Sequence, residues 1–239
     1  MGVHAVLLDH APRAGDIARI SGDDAHHALR VRRLGEGDLL ALRDGAGLVG
    51  TGTILRTAKH DGLWTLDVRV DDARVLPPEQ PALHVLACAP KGERLADMID
   101  GLSQAGAASW APLRTARSIV DPRETKLDRL ARVTRESLKQ CGRAWALRIE
   151  PPVDLLDLRR DGTLAGAIVA DASGPPYERR GGPALTLLVG PEGGWTPDEL
   201  AAMRDAGATP ASFGRHVMRT EVAAVVAAAC VMHLERPAP

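Results

Sequence analysis

A chain of 239 residues with 45% hydrophobic and 26% charged residues and a formal net charge of −1 has a globular composition, long enough for one large core or two smaller ones. Its longest apolar stretch, Val222 to Met232, falls short of the roughly 20 residues that a bilayer-spanning helix needs. The N-terminus lacks the basic region and cleavage site of a secretory signal, so the expected location is the cytoplasm. Cys88, Cys141 and Cys230 show no CxxC spacing, which argues against a disulfide framework or zinc knuckle; they read as buried small residues.

In chain order, short apolar runs first alternate with turn dipeptides, Asp44-Gly45 and Asp61-Gly62 being of hairpin type. This pattern predicts a small β-rich domain over residues 1–76. The proline-rich segment VLPPEQPA, residues 75–82, reads as a linker, because proline is excluded from central strands and helix interiors. From residue 77 to 239 strands alternate with helices, which predicts an α/β domain with a largely parallel sheet. Strands are expected at Leu83–Ala89, Ser109–Leu113, Ala165–Ala170 and Ala184–Val189. Helices are expected at Glu93–Gly106, Thr125–Cys141, Pro197–Ala206 and Glu221–Glu235. The helix from Thr125 should bury Leu127, Leu130, Val133, Leu138 and Cys141, leaving an arginine-rich face. Residues 91–148 carry 12 basic against 7 acidic side chains, whereas residues 149–239 carry 8 against 12. Such a middle third is compatible with a phosphate-contacting face or with a solvated helical surface.

Two stretches carry the chemistry. In LTLLVGPEGGWTPDEL, residues 185–200, an apolar strand runs into a glycine-rich loop and then a helix whose Thr196, Pro197 and Glu199 fit a capping box with proline at its first position. Gly190, Gly193 and Gly194 let a ligand approach the backbone at a strand's C-terminal end. Pro191 lacks a donor and Glu192 adds negative charge, which favours a neutral or cationic ligand over phosphate. In the second stretch, Arg219-Thr220-Glu221 opens a highly apolar helix, with Thr220 placed to cap it and Glu221 favoured by its dipole. The alanines behind them suit close packing in a core or a subunit interface.

GPEGG after an apolar strand, followed by Gly214 and then Arg219-Thr220-Glu221, resembles the C-terminal signature of the RsmE family. Three further segments are similar to that family in the same order: His27 to Asp38, Lys91-Gly92-Glu93-Arg94 with the helix to Gly106, and Glu136 to Arg143. The chain departs from the family pattern at Gln104-Ala105-Gly106, at Arg32, and at His216, where the family has an arginine. The resemblance implies a SPOUT-type α/β methyltransferase domain with a trefoil knot, preceded by a PUA-like β-barrel that binds RNA. It implies S-adenosyl-L-methionine (SAM) as methyl donor, a homodimer, and as reaction the methylation of N3 of a uridine in 16S ribosomal RNA within the small ribosomal subunit. By that likeness the cofactor site comprises Ala170, Asp171, Val189, Gly190, Pro191, Glu192, Gly193, Gly194, Phe213, Gly214, Val217 and Met218.

For methyl transfer to N3, Arg219 is assigned to stabilise or orient the uracil, and Glu221 to orient Arg219 or act as base. Candidates for RNA phosphate contact are Arg30, Arg32, Arg33, Arg129, Arg132, Arg135 and Arg143. His26 and His27 are adjacent with no further ligand at a telling spacing, so no metal is expected. The four tryptophans fit core packing better than base stacking, since the chain has one Phe and one Tyr to fill its interior. A non-catalytic RNA-binding protein, and a SPOUT enzyme acting on transfer RNA or a ribose 2′-oxygen, remain the alternatives.

Overall fold

A computed structural model of the chain describes residues 3–120 and 127–236, Leu127 by its backbone alone. The expected helix start at Thr125 and Lys126 lies outside the described residues. The chain divides into two compact units, residues up to Pro78 together with Leu138–Ala146, and Glu79–Ser137 together with Leu147 onward.

The first unit is built on β1 (His4–Leu7), β2 (Ile17–Ser21), β3 (Leu39–Arg43), β4 (Leu48–His60) and β5 (Leu63–Val75), in the sheet order β1-β3-β4-β5-β2. Only β1 and β3 pair in parallel. The β4–β5 hairpin closes through Asp61-Gly62, with φ of 49° and 82°. Two successive positive φ values define the mirror-image turn whose twist matches that of the strands, as the sequence predicts. Leu40, Leu42, Ile54, Leu66 and Val68 fill the core from alternating positions. A short helix α1 (Gly22–His26) runs into a π-helical turn, His27–Val31, and Arg33 follows at φ 58°.

Residues 138–146 complete this unit. Gly47 adopts φ 109°, and a side chain there would stand 2.7 Å from the Trp145 ring. The indole N–H of Trp145 donates to the Leu76 carbonyl at 2.9 Å, and Ala146 N–H donates to Gly45 O at 2.9 Å.

The second unit holds β6 (Ala82–Ala87), β7 (Ser109–Arg114), β8 (Arg148–Ile149), β9 (Val153–Asp154), β10 (Ile168–Ala170), β11 (Ala184–Val189) and β12 (Thr209–Ala211). They form a parallel sheet in the order β12-β10-β11-β6-β7-β8, with β9 beside β7. Its central strands are buried on both faces, which is why they read as continuous apolar runs. Leu83, Val85, Leu185 and Leu187 point to one core, shared with α2 (Arg94–Gln104) and α6 (Thr220–Leu234). Leu86 and Leu188 point to the other, shared with α4 (Leu155–Arg160) and α5 (Pro197–Asp205). The result is a three-layer α/β domain.

The remaining helix, α3 (Leu127–Cys141), buries Leu130 and Leu138 and exposes Arg129, Arg132 and Arg135 as expected, while Val133 is only half-buried and the polar Thr134 and Ser137, not among the expected core positions, are buried too. Helix ends follow local chemistry. After α2, Gly106 at φ 91° lets its own N–H reach Ser103 O and that of Ala107 reach Leu102 O. Cys141 corrects one expectation: it is exposed, because α3 ends there and Gly142, at φ 77°, turns the chain away. Cys88 is buried and Cys230 half-buried. Among the tryptophans Trp110 and Trp195 are buried, while Trp64 and Trp145 are partly exposed. Among the described residues, no helix is long and apolar enough to cross a membrane.

Candidate active site

The chain leaves the C-terminal edge of the sheet three times in close succession, after β10, β11 and β12, and the three loops surround a cavity of about 390 Å³. Ligand crevices of α/β sheets lie at this edge because loops and helix starts meet there. Its volume falls within the range of small-ligand pockets, about 300–1,000 Å³.

Each loop is shaped by its own residues. After β10, the Asp171 carboxylate accepts hydrogen bonds from the N–H and hydroxyl of Ser173, both at 2.8 Å, which curls the loop. Gly174 sits against β12, where a side chain would come within 2.9 Å of Ala211 N. After β11, the loop Gly190–Trp195 leads into α5 through the predicted capping box: Glu199 N–H donates to Thr196 Oγ1 at 3.1 Å and Thr196 N–H to Glu199 Oε2 at 2.8 Å. The indole of Trp195 folds back over Gly190, where a side chain would stand 2.9 Å from the ring, and its N–H donates to Ala170 O at 3.0 Å. Arg117 donates to the Gly193 carbonyl at 2.8 Å.

After β12, the chain is anchored at Ser212, whose N–H donates to Pro175 O at 2.7 Å. Phe213 stacks on Tyr177, ring centroids 5.4 Å apart. Tyr177 in turn donates its hydroxyl to the buried Glu235 at 2.6 Å, and Glu235 also accepts from Arg180 N–H and Gly181 N–H. Burial pushes the Glu235 carboxyl up, but those hydrogen bonds and the Arg179 charge outweigh it and hold the group below the usual carboxylate range. Burial, followed by the bond to the Glu235 carboxylate, raises the Tyr177 phenol.

Of the residues assigned to the cofactor, Ala170, Asp171, Val189, Gly190, Pro191, Glu192, Gly194, Phe213, Gly214, Val217 and Met218 all line the cavity. Gly193 lies outside its lining, against Arg117. Trp195, Ala211, Thr220 and Ala223 also line it and escaped sequence reasoning, although the apolar spacing of the last helix could have pointed to Ala223. His216 lines it at the position where the family pattern has arginine.

Thr220 corrects another expectation. The N-cap of α6 is Arg219, and the Thr220 hydroxyl donates instead to the Gly190 carbonyl at 3.2 Å, tying the head of α6 to the loop after β11. Glu221 meets Arg94 at 3.6 Å, and the same Arg94 nitrogen meets Glu192 at 3.7 Å. Arg219 is exposed and its guanidinium makes no ion pair among the described residues. In this structure Glu221 is therefore partnered by Arg94 and not by Arg219.

The predicted RNA-contacting arginines fall in both units. Arg30, Arg32 and Arg33 are exposed on and just after the π-helical turn, with Arg30 5.9 Å from the centre of the Trp64 ring. Arg129, Arg132 and Arg135 share the exposed face of α3, and Arg143 is half-buried beyond its end. His27 stacks on His4 with centroids 5.1 Å apart.

Comparison with known proteins agrees with this architecture. Residues 78–232 match the RNA methyltransferase domain family and residues 20–61 the RNA methyltransferase PUA domain. The chain is 33% identical over 238 residues to ribosomal RNA small subunit methyltransferase E of Mycobacterium bovis, covering 94% of this chain and 89% of the relative. It is 30% identical to the protein of that name from Synechocystis, covering 85% and 69%. The crystal structure of ribosomal RNA small subunit methyltransferase E from Neisseria gonorrhoeae bound to S-adenosyl methionine has the same fold, with a TM-score of 0.81, 20% identity and coverage of 98% of each chain. The fold, the loop cavity and these relatives together establish that the chain belongs to the ribosomal RNA small subunit methyltransferase E family.

Proposed function

We propose that the protein is a cytoplasmic, SAM-dependent methyltransferase that acts on N3 of a uridine in 16S ribosomal RNA, within the small ribosomal subunit, as a homodimer. Family membership supports methylation of small-subunit ribosomal RNA; uridine N3 is the finer reading. The observation that carries it is the cavity between the loops after β10, β11 and β12, next to a head of α6 that bears Arg219 and Glu221. We assign residues 1–76 to RNA binding and 77–239 to catalysis, with the C-terminal segment threaded as a trefoil knot.

The residues fit SAM. Val189, Val217, Met218 and Phe213 offer apolar surface, the glycine-rich loop offers backbone groups, and the Glu192 carboxylate suits a cation. Pro191, with no N–H, makes a poor phosphate cradle. SAM, when bound, supplies an electrophilic methyl group on a sulfonium.

The protein's part is positioning and proton handling. N3 of uridine carries a proton, so its lone pair is released only as a base accepts that proton. The Glu221 carboxylate is the assigned base, and Arg219 the group that donates hydrogen bonds to the uracil oxygens as they gain charge. N3 lies on the pairing edge, so the nucleotide has to leave its pair or stack, and phosphate contacts from Arg30, Arg32, Arg33, Arg129, Arg132, Arg135 and Arg143 are assigned to hold the flanking RNA.

Mass spectrometry of nucleosides from ribosomal RNA, free and in small subunits, tests this after incubation with methyl-labelled SAM. Labelled N3-methyluridine is the expected product. Label on another nucleoside would move the target, and no label despite calorimetric SAM binding would sink the assigned substrate.

A further inference from the structure

Helices α2 and α6 both begin beside the C-terminal edge of the sheet and pack closely, because Gly101 leaves room for Val225: a side chain at Gly101 would stand 2.6 Å from it. This approach brings together three residues far apart in sequence. Arg94, the first residue of α2, places Nη1 3.6 Å from Glu221 Oε1 and 3.7 Å from Glu192 Oε1. Glu192 belongs to the cavity wall, and Glu221 to the first turn of α6. Both distances exceed the roughly 3.2 Å of an N–H···O hydrogen bond, so the guanidinium acts on the two carboxylates as a charge. Without it two like charges would face each other across the same gap. The second oxygen of Glu221, Oε2, is buried and has no hydrogen-bond partner among the described residues. A buried carboxylate oxygen with no donor is unfavourable by itself, so the neighbouring Arg94 charge matters to Glu221.

We propose that Arg94 is a positioning residue of the methyl-transfer site: its charge holds Glu192 and Glu221 together, and this fixes the Glu221 carboxylate assigned as base. The inference rests on the function proposed above and adds to it the residue that sets the geometry of the base.

Steady-state methylation of small subunits lacking the modification, with wild type, Arg94→Lys and Arg94→Gln at saturating SAM, tests the proposal. Because the contact is ionic, Arg94→Gln should lower kcat about tenfold or more with KM for the RNA changed less than about threefold, and Arg94→Lys should recover most of the loss. SAM affinity, measured by calorimetry, and the melting temperature should change little in Arg94→Lys. Equal losses for Lys and Gln, a wild-type kcat in Arg94→Gln, or a loss confined to KM would each overturn the proposal. A wild type inert on ribosomal RNA would sink the proposed function and this inference with it, whereas an active wild type with an indifferent Arg94 sinks this inference alone.

Discussion

Two of the loops around the cavity are made in opposite ways. The loop Gly190–Trp195 is pinned at nearly every residue: Thr220 donates to Gly190, Gly194 N–H to Pro191 O, Arg117 to Gly193, and the Trp195 indole to Ala170. The loop that follows β12 is fixed at Ser212 and Phe213 and then runs to Arg219 with no hydrogen bond at residues 213–218 among the described residues; Val217 is 87% exposed. One wall of the cavity is preformed, and the other has its conformation set from its two ends. A ligand entering between them meets a rigid surface on one side and has to order the other, so affinity depends on both interactions gained and entropy lost.

Substitutions can break or sharpen that contrast. The largest effect is expected for Trp195→Ala, which removes a buried indole and the closure over Gly190; about 3–5 kcal/mol of stability should go, with loss of SAM binding. Chemical denaturation and calorimetry measure both, and a loss below about 1 kcal/mol would show that the loop keeps its shape without the ring. Glu235→Gln comes next, because it weakens the support under Tyr177 and Phe213; a cost of about 1–3 kcal/mol is expected.

The same group gives a pH dependence of known sign. Its folded value lies below the ordinary one, so its stabilisation is complete above the unfolded glutamate pKa of about 4.3 and is lost as pH falls through the lower folded value. Comparing acid unfolding of wild type and Glu235→Gln should show the two curves converging at low pH, and parallel curves would remove the carboxylate from the account. Thr220→Val should cost about 1 kcal/mol, read in urea, since it deletes one bond to the pinned loop. The smallest effect on folding belongs to Val217→Ser, within about 0.5 kcal/mol. Its consequence should appear only as weaker SAM binding, and a large drop in melting temperature would mean that the open loop is packed after all.

Features that depend on neighbouring residues were legible in the sequence. The Thr196-Pro197-Glu199 box is a three-residue signal and the structure contains it, as it contains the Asp61-Gly62 turn. Continuous apolar runs located β6 and β11 because a doubly buried strand has no polar face. What failed depends on the meeting of distant segments. Thr220 looks like a cap, since a threonine before an apolar helix usually is one, and only the approach of Gly190 shows where its hydroxyl goes. Arg94 lies about a hundred residues or more from both Glu192 and Glu221, so no spacing rule joins it to them. Gly193 was grouped with its neighbours by pattern, while Arg117 draws its carbonyl to the far side.

The return of residues 138–146 to the first unit has a consequence for the order of events during synthesis. Gly47 is shaped for Trp145, and the Leu76 carbonyl accepts its indole N–H, so nearly seventy residues separate the end of the last strand of that unit from the tryptophan that completes it. On a translating ribosome the N-terminal sheet emerges first, and its contacts at Gly47 and Leu76 are completed only when Trp145 has left the exit tunnel. The polypeptide boundary of the unit and the time at which it can finish folding are thus set by two different places in the chain.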